Sequence, residues 1–281
     1  VSTYGTFTQD LDCIVKDLQE GCITTVSIES TGVYYVPLYI KLEQAGIEPY
    51  LVNARHAKNV TGRKHDDTDA IWLQKLHTCG LLQKSFQPAA EDRKFRDLIG
   101  QRATLVSNGS DWVRRMQKAL ELMNVKVHTV ISDIMGKTGT RIIKAIIEGE
   151  RDATRLATYR DKRIKASYET IVMSLEGIWK EEHVFALKQA YEAYQFFQKQ
   201  IVECDEQIKM QLDKQTAIVK DGAIYNEQEK PAPAPDNGSG KKTFKKIEVK
   251  SQYRFDVRSY RVKRLGIDLC ELEGVSEITG T

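Results

Sequence analysis

The sequence predicts an α/β domain followed by a helical domain, and three observations support this. Short β-branched runs alternate with helical patterns over residues 3–76, which is typical of a domain with a largely parallel sheet. A long amphipathic pattern then extends from Glu91 to about Met123. Further along, apolar residues repeat at heptad spacing from Leu187 to Gln211, as in a coiled coil.

Length and composition describe a protein with about two domains. The chain has 281 residues, of which 41% are hydrophobic and 29% are charged. The sequence contains neither a signal peptide nor an apolar run near the ~20 residues that span a bilayer, so we expect no membrane partner. Its five cysteines are scattered without a C-x-x-C pair, which argues against a disulfide framework or zinc site and predicts a cytoplasmic protein.

The net charge of +3 is unevenly distributed. Residues 1–50 carry two Lys and seven acidic residues, whereas residues 51–120 carry thirteen Lys or Arg and seven acidic residues. Residues 241–264 carry ten Lys or Arg and two acidic residues. Two basic blocks in a nearly neutral protein indicate a polyanionic partner, although a solvated surface is the plain alternative.

The first elements follow from local patterns. Thr3 to Phe7 is short and β-prone, and a helix then carries Leu11, Ile14, Val15 and Leu18 on one face before it stops at Gly21. Ile23 to Ile28 predicts a buried strand, and Glu29 stands at its end.

A second strand and helix complete the predicted β-α-β unit. Ser30 to Gly32 form a turn, and a helix with Pro37 in its first turn runs to about Gln44 and ends at Gly46. Pro49 to Val52 is the next strand. In sheets of this kind, sites gather beyond the carboxyl ends of the strands, where Glu29 stands. A helix-capping role for Glu29 is the alternative.

Thr61 to Leu76 is the stretch richest in chemistry. Arg63 and Lys64 directly precede Asp66, Asp67 and Asp69. Helical spacing puts Asp66 and Asp69 on one face, so together with Glu29 they predict a Mg²⁺ site of the kind that metal-dependent nucleases use. The alternative is structural, because Asp is a favoured N-cap and acids suit the first turn of a helix.

Several motifs resemble the transposases of insertion-sequence family 110. These are E-S-T-G-V-Y (Glu29 to Tyr34), V-N-A-R-H-A-K-N-V-T-G-R-K (Val52 to Lys64) and D-D-T-D-A (Asp66 to Ala70). The resemblance continues through Gly80-Leu81-Leu82, residues 133–137 and 186–190, and the final G-I-D-L-C-E-L-E-G-V-S. It implies an RNase H/RuvC-like domain of the DEDD type and a recombinase that a bridge RNA guides.

The resemblance also assigns roles to individual residues. Glu29, Asp66 and Asp69 match three of the four catalytic carboxylates and would bind Mg²⁺, whereas Asp67 fills a variable position. The first Asp of the family lies on a strand before Thr3, and the nucleophilic Ser lies in a C-terminal domain, so we expect both to be absent from this chain. The residues expected to contact nucleic acid are Arg55, His56, Lys58, Arg63, Lys64, Arg114, Arg115 and Lys118.

The helical patterns after Glu91 leave alternatives open. Basic residues interleave with the apolar side of the long helix and predict either a solvated face or phosphate contacts; they are Arg93, Lys94, Arg96, Arg102, Arg114, Arg115 and Lys118. Asn108-Gly109 predicts a kink or break. Gly136 to Gly139 predicts a turn before a structural helix, and the basic residues from Arg160 to Lys165 are expected to be a solvated surface.

The heptad seam predicts self-association. Its members are Leu187, Ala190, Tyr194, Phe197, Ile201, Cys204, Ile208 and Gln211, and the polar last member predicts a frayed end. A helix hairpin packed within the chain is the alternative. We favour a homo-oligomer, a dimer or a tetramer, because the resemblance implies a coiled-coil domain that mediates assembly.

The last segment combines a linker with a basic stretch. Residues 221–240 are rich in Pro, Gly and Ser and predict a linker. Lys241 to Arg261 interleaves cations with aromatic residues, which suits single-stranded nucleic acid or RNA, with a disordered tail as the alternative.

Together these patterns predict a domain organisation and a function. We expect a RuvC-like catalytic domain over residues 1–150, a coiled-coil domain over 151–220, a linker and basic segment over 221–264, and the start of a truncated transposase domain over 265–281. The predicted function is an RNA-guided DNA transposase of a bacterial insertion sequence, with DNA and a guide RNA as partners. The alternative is a non-catalytic relic that binds nucleic acid and self-associates.

Overall fold

The computed structural model describes residues 1–53, 66–222, 253–257 and 259–260, with the side chains of 66–69 and 215–222 left out. The chain divides into two compact units, unit one (Val1–Arg93) and unit two (Lys94–Thr281). Over the described residues the elements in chain order are α1 (Thr8–Glu20), β1 (Thr25–Glu29), α2 (Val36–Gln44), β2 (Glu48–Val52), α3 (Asp66–Thr78), α4 (Ala90–Leu122), α5 (Val127–Val130), α6 (Lys137–Ile147), α7 (Ala153–Ala157), α8 (Tyr168–Leu175) and α9 (Glu181–Gly222).

Unit one is built on the predicted β-α-β unit. β1 and β2 pair in parallel, with Thr25 opposite Glu48 and Glu29 opposite Val52. Pro37 lies in the first turn of α2, as predicted. Gly46 follows the helix with a φ of 73°, a conformation that glycine adopts without steric cost. The α/β class predicted from sequence is therefore present as a small parallel sheet with helices.

Two details of unit one differ from the prediction. The segment from Thr3 to Phe7 is not a strand, because the Asp10 carboxylate accepts the Phe7 N–H at 2.9 Å and Phe7 becomes the N-cap of α1. β1 is half-buried rather than buried. Within the part of the chain that is described, β1 pairs only with β2, so its other edge lacks a neighbouring strand.

The far edge of β2 is covered by the segment that follows α3. Lys84 forms an antiparallel bridge with Val52, and the Ser85 N–H donates to the Leu51 carbonyl at 2.8 Å. The Tyr50 hydroxyl donates to the Leu82 carbonyl at 2.7 Å. Val52 and Leu82 are both buried in a small apolar cluster with residues of α3, so this cluster attaches α3 to the sheet.

Unit two is helical and has one large apolar core. The core joins the second half of α4 to α6, α8 and the first half of α9. Met116, Ile142, Ile171 and Leu187 are each 0% exposed. The core contains residues from both sides of position 150, the predicted boundary between the first two domains. The predicted domain boundaries stay predictions.

α4 is continuous across Asn108-Gly109, so the predicted break is wrong, and the kink stays a prediction. Gly109 is buried, and a β-carbon at this position would lie 3.7 Å from the Cβ of Phe197. The glycine therefore occupies a close approach between α4 and α9 and does not interrupt the helix. Further on, Gly136 is the N-cap of α6, which begins at Lys137, so Gly139 lies in the helix rather than in the predicted turn.

The heptad seam of α9 is packed inside unit two. Leu187, Ala190 and Tyr194 belong to the large core, whereas Cys204 and Ile208 form a second cluster with apolar residues of α4. This is the intramolecular packing that the alternative interpretation expected. The predicted fraying is wrong, because Gln211 is 4% exposed and α9 continues to Gly222. Self-association therefore stays a proposal, and it would have to use exposed surfaces other than the heptad seam.

The described part of the basic, aromatic segment also packs against unit two. Tyr253, Phe255 and Tyr260 contact the second cluster, and Val257 is 2% exposed. These aromatic rings are therefore engaged in protein packing, a result that neither the nucleic-acid interpretation nor a disordered tail anticipated. Among the described helices, none has the length and apolar character that a membrane span requires.

Candidate active site

Glu29 lies at the carboxyl end of the parallel sheet, as predicted. It is the last residue of β1, stands opposite Val52 in the strand register and is half-buried. The next residue, Ser30, donates its N–H to the Val52 carbonyl at 2.9 Å and extends the pairing past the strand. Strand pairing therefore holds the backbone at Glu29 in a defined position, at the edge where α/β proteins build their sites.

The contacts of α3 show which way this helix runs along the sheet. Near its end, the His77 Nε2 lies 3.3 Å from the Thr25 hydroxyl oxygen at the start of β1. The His77 ring packs edge-on against Tyr50 at 4.7 Å between centroids. Slightly more than one turn earlier, Leu73 and Trp72 pack against the apolar cluster that contains Val52, at the other end of β2. These contacts indicate that α3 runs opposite to the strands, with its first turn toward their carboxyl ends.

Element lengths indicate how far this brings the helix start toward Glu29. From Thr25 to Glu29 the strand extends about 13 Å, at ~3.3 Å per residue. From His77 back to Asp69 the helix rises about 12 Å, at ~1.5 Å per residue. A helix that runs antiparallel to the strands from His77 would bring the backbone of Asp69 to about the level of Glu29 along the sheet. This arrangement supports a joint site for the strand-end Glu and the helix-start aspartates.

The side chains of Asp66, Asp67 and Asp69 lie outside the described residues, although their backbone begins α3 as predicted. Among the side chains that are described, the structure gathers no group of three or more His, Cys, Asp or Glu. The donor set implied by sequence is three carboxylates. Such hard oxygen ligands suit Mg²⁺, which keeps part of its water shell and needs few protein groups.

The predicted nucleic-acid contacts divide into two sets. Arg55, His56, Lys58, Arg63 and Lys64 all lie outside the described residues and remain predictions. Arg114, Arg115 and Lys118 lie on α4 and are exposed.

Only part of the α4 set is available to a ligand. Arg114 pairs with Asp111 one turn earlier on the same helix. The Arg115 guanidinium lies over the Trp112 ring, 4.6 Å from its centroid. Trp112 was not among the predicted functional residues, although its place three positions before Arg115 was the signal that could have indicated this stacked pair.

Other basic residues of the long helix are structural. Arg93 hydrogen-bonds Glu43 and lies over the Tyr39 ring, within unit one. Arg102 is 4% exposed and pairs with Asp205. These two are therefore unavailable for the phosphate contacts that the sequence pattern allowed.

Of the basic residues from Arg160 to Lys165, Lys162, Arg163 and Lys165 are exposed as expected, whereas Arg160 is half-buried. The Arg160 guanidinium donates to the carbonyls of Ile164 and Ala166. Arg163 pairs with Asp161 at 3.0 Å. Lys162 and Lys165 remain exposed.

Comparison with known families decides what kind of domain carries these residues. Residues 6–125 match the family described as Transposase, the DEDD transposases of insertion-sequence family 110. The chain carries a transposase domain of this family. A search of curated proteins gave no match to the chain.

The matched region covers both the residues predicted for the metal site and the exposed cations predicted for nucleic-acid contact. It includes Glu29 on β1, the aspartates at the start of α3 and the exposed cations of α4. The predicted resemblance to these transposases is thereby confirmed over residues 6–125. DNA is the partner that a transposase domain implies.

Proposed function

We propose that this transposase cuts and rejoins DNA strands with a Mg²⁺ site formed by Glu29, Asp66 and Asp69. The single observation that carries the proposal is the placement of Glu29. It ends β1 at the carboxyl edge of the parallel sheet, and α3 runs from its start at Asp66 to the opposite edge, where His77 meets Thr25 at the start of β1. In the proposed site, carboxylates from a strand end and a helix start would approach one another from separate elements.

Each residue has a distinct part in the proposed chemistry. Glu29, Asp66 and Asp69 would hold Mg²⁺, which supplies charge stabilisation for a nucleophile and a leaving oxygen at a phosphodiester. Arg63 and Lys64, directly before the aspartates in sequence, would bind the backbone phosphates and orient the DNA. Asp67 has no part in the site and serves as a built-in control.

The proposed partners are DNA and a bridge RNA that guides the choice of site. The family match supports DNA, and the two basic blocks of the sequence support a polyanionic partner. We place the protein in the bacterial cytoplasm, in keeping with its cysteine pattern. We also propose self-association. Because the heptad seam is buried within unit two, this association requires exposed surfaces.

Metal binding is the direct test of the site. A ligand that binds only the folded state raises the melting temperature, by roughly 4–8 °C per kcal/mol for a domain of ~100 residues. We expect millimolar Mg²⁺ to raise the melting temperature of the protein. Asp66→Asn and Asp69→Asn should each weaken Mg²⁺ binding about tenfold or more in calorimetry, and Asp67→Asn should bind as the wild type does.

Strand exchange tests the function itself. In a complete protein that carries the first Asp and the nucleophilic Ser, with guide RNA, donor DNA and target DNA present, Asp66→Asn and Asp69→Asn should abolish exchange while Asp67→Asn retains it. Near-normal exchange in either of the first two variants would exclude the metal site. A different result would favour the non-catalytic alternative. In that case Mg²⁺ changes neither the melting temperature of the protein nor the DNA strands, while the protein still binds nucleic acid with a steep salt dependence.

A further inference from the structure

A groove of about 560 Å³ lies between α4 and α9 on the surface of unit two. We call it the α4–α9 groove. Its lining includes Trp112, Arg115, Lys118, Ala119 and Leu122 from α4 and Ala186 and Ala190 from α9. The two basic residues belong to the set that the sequence predicted for nucleic-acid contact, whereas Trp112, Leu122 and Ala186 were not assigned any role.

The groove is open because small side chains form its floor and one wall. Ala119 and Ala190 are 4% and 2% exposed and lie at the bottom, where longer side chains would fill the space. Leu122 is 54% exposed at one end, and Ala186 is exposed on the α9 side. The surface is therefore concave and mostly apolar, and an isolated phosphate contact needs neither property.

Positive charge is concentrated on the α4 side of the groove. Arg115 and Lys118 are both exposed and lie three positions apart, so they are neighbours on one face of the helix. Within the described residues, no acidic side chain forms an ion pair with either cation. In contrast, the neighbouring Arg114 is neutralised by Asp111. Charge complementarity thus favours an anionic occupant.

The Arg115 guanidinium is held against an aromatic ring. It lies 4.6 Å from the centroid of Trp112, and Trp112 itself packs on the large core. The ring supports one face of the guanidinium, so the other face is available to a flat group. Arginine planes and aromatic rings are the surfaces on which proteins stack unpaired bases.

We infer that the α4–α9 groove binds an unpaired nucleotide of a single strand. The base stacks on the outer face of Arg115 above the apolar floor, and a neighbouring phosphate meets Lys118. This inference rests on the proposed function, since it supplies that transposase with a site for a strand opened from a duplex or for a guide RNA. Paired bases would not reach the floor, because stacking in the duplex occupies their faces.

The test uses labelled strands of 12 nucleotides and the whole chain. The strands are oligouridylate, oligothymidylate, a DNA strand with the same phosphates but no bases, and a duplex. Fluorescence anisotropy should show that the base-bearing single strands bind about tenfold more tightly than the abasic strand. Similar affinities for RNA and DNA strands would mark a base-stacking site open to both, and a difference between them would identify the strand it prefers.

Two variants at exposed positions distinguish binding in the groove from nonspecific electrostatic attraction of the strand. Ala186→Trp fills the groove without changing charge and should remove the tenfold advantage of the base-bearing strands. Arg115→Gln should do the same and also weaken binding of the abasic strand by several-fold. The matched control is Lys188→Gln, which removes one charge from an exposed position of α9 that does not line the groove, and should keep the tenfold advantage.

A second readout does not depend on affinity. Bound bases should quench the tryptophan emission of the wild type, and Trp112→Phe should lose most of that quenching.

Equal binding of abasic and base-bearing strands, or an unchanged advantage in Ala186→Trp, would overturn the inference. A change in sedimentation of Ala186→Trp with unchanged strand binding would instead show an interface between copies, which also overturns it. Because Mg²⁺ binding at Glu29 is measured separately, failure here would leave the proposed function standing.

Discussion

The buried pair of Arg102 and Asp205 shows how context changes the role of a single residue. In the sequence, Arg102 is one of seven cations on an amphipathic helix. In the structure its Nε donates to the Asp205 carboxylate at 2.5 Å, and both side chains are at most 5% exposed. The Tyr253 ring covers the guanidinium, 4.1 Å from its Cζ. Arg102 therefore joins α4, α9 and the C-terminal segment.

Replacing this arginine should be costly. Arg102→Met leaves the Asp205 carboxylate buried without its cation, and breaking such a pair costs about 3–5 kcal/mol. Urea unfolding should show a loss of that size for Arg102→Met. The control Arg114→Met removes an exposed pair and should cost less than about 1 kcal/mol. Equal losses in the two variants would contradict the importance of burial.

A double variant separates the charge from the packing. Arg102→Met combined with Asp205→Leu removes both charges and should recover most of the stability lost in the single variant, since apolar replacement of a buried pair is often neutral. Failure to recover would show that the hydrogen bonds, rather than the uncompensated charge, determine the loss.

Asp161 gives a pH-dependent prediction at the same scale. Hydrogen bonds from the Arg163 side chain and then from its backbone N–H lower the pKa of Asp161 from 3.8 to about 2. A carboxyl whose pKa is lower in the folded state stabilises the fold above its unfolded pKa and loses this contribution as pH falls. The stability difference between wild type and Asp161→Asn should therefore shrink below about pH 4.

The titration itself can be followed by carboxyl NMR. The Asp161 signal should titrate near pH 2 in the wild type. In Arg163→Gln its pKa should rise toward the ordinary range, because the side-chain hydrogen bond is the largest cause of the shift. A wild-type signal that titrates near 3.8 would contradict the pairing.

At the scale of elements, two helical glycines provide a matched comparison. Alanine is favoured over glycine in a helix by ~1 kcal/mol, so Gly→Ala is stabilising where space allows. Gly100 in α4 is exposed with nothing within 4 Å of an added β-carbon. At Gly139 in α6, an added β-carbon would lie 2.0 Å from the Ile134 carbonyl oxygen.

These two substitutions should have opposite signs. Gly100→Ala should raise stability by about 0.5–1 kcal/mol. Gly139→Ala should lower it by about 2 kcal/mol or more, since the neighbouring atom belongs to the backbone and yields only if the loop before α6 moves. Thermal or urea unfolding measures both. A stabilised Gly139→Ala variant would show that this loop adjusts freely.

At the scale of the whole molecule, the α9 seam decides between a core and an interface. Ile208 is 0% exposed and packs within unit two, whereas Met210 on the same helix is 52% exposed. Ile208→Glu buries an unpaired charge and should destabilise the protein by more than about 4 kcal/mol. The control Met210→Glu should fold as the wild type does.

Sedimentation together with circular dichroism distinguishes the two roles of the seam. If the seam is core, Ile208→Glu lowers the melting temperature equally at all protein concentrations. A folded, monomeric Ile208→Glu variant from an oligomeric wild type would show that the seam is an interface between chains. Oligomerisation that survives in Met210→Glu would then have to use another exposed surface.

Local patterns in the sequence predicted most of the elements correctly. The spacing of Leu11, Ile14 and Leu18 identified α1, and the β-branched run before Glu29 identified β1, because period and side-chain shape act over a few residues. The transposase family and the position of Glu29 at a strand end were also predictable, since ordered motifs carry them. Thr3 to Phe7 was misassigned because the hydrogen bond that the Phe7 N–H donates to the Asp10 carboxylate outweighed the β-propensity of the segment.

Only the tertiary structure decided which side chains are buried in protein packing and which stay exposed to ligands. Arg102 and Arg115 read alike in the sequence, yet one is buried against Asp205 and the other lies exposed over Trp112. The heptad seam fits a coiled coil and an intramolecular core equally well, because both bury the same helical face. The physical reason is that a helical period is set by residues close together in the sequence, whereas burial depends on segments distant in the chain, such as those of Arg102 and Asp205, which lie 103 positions apart.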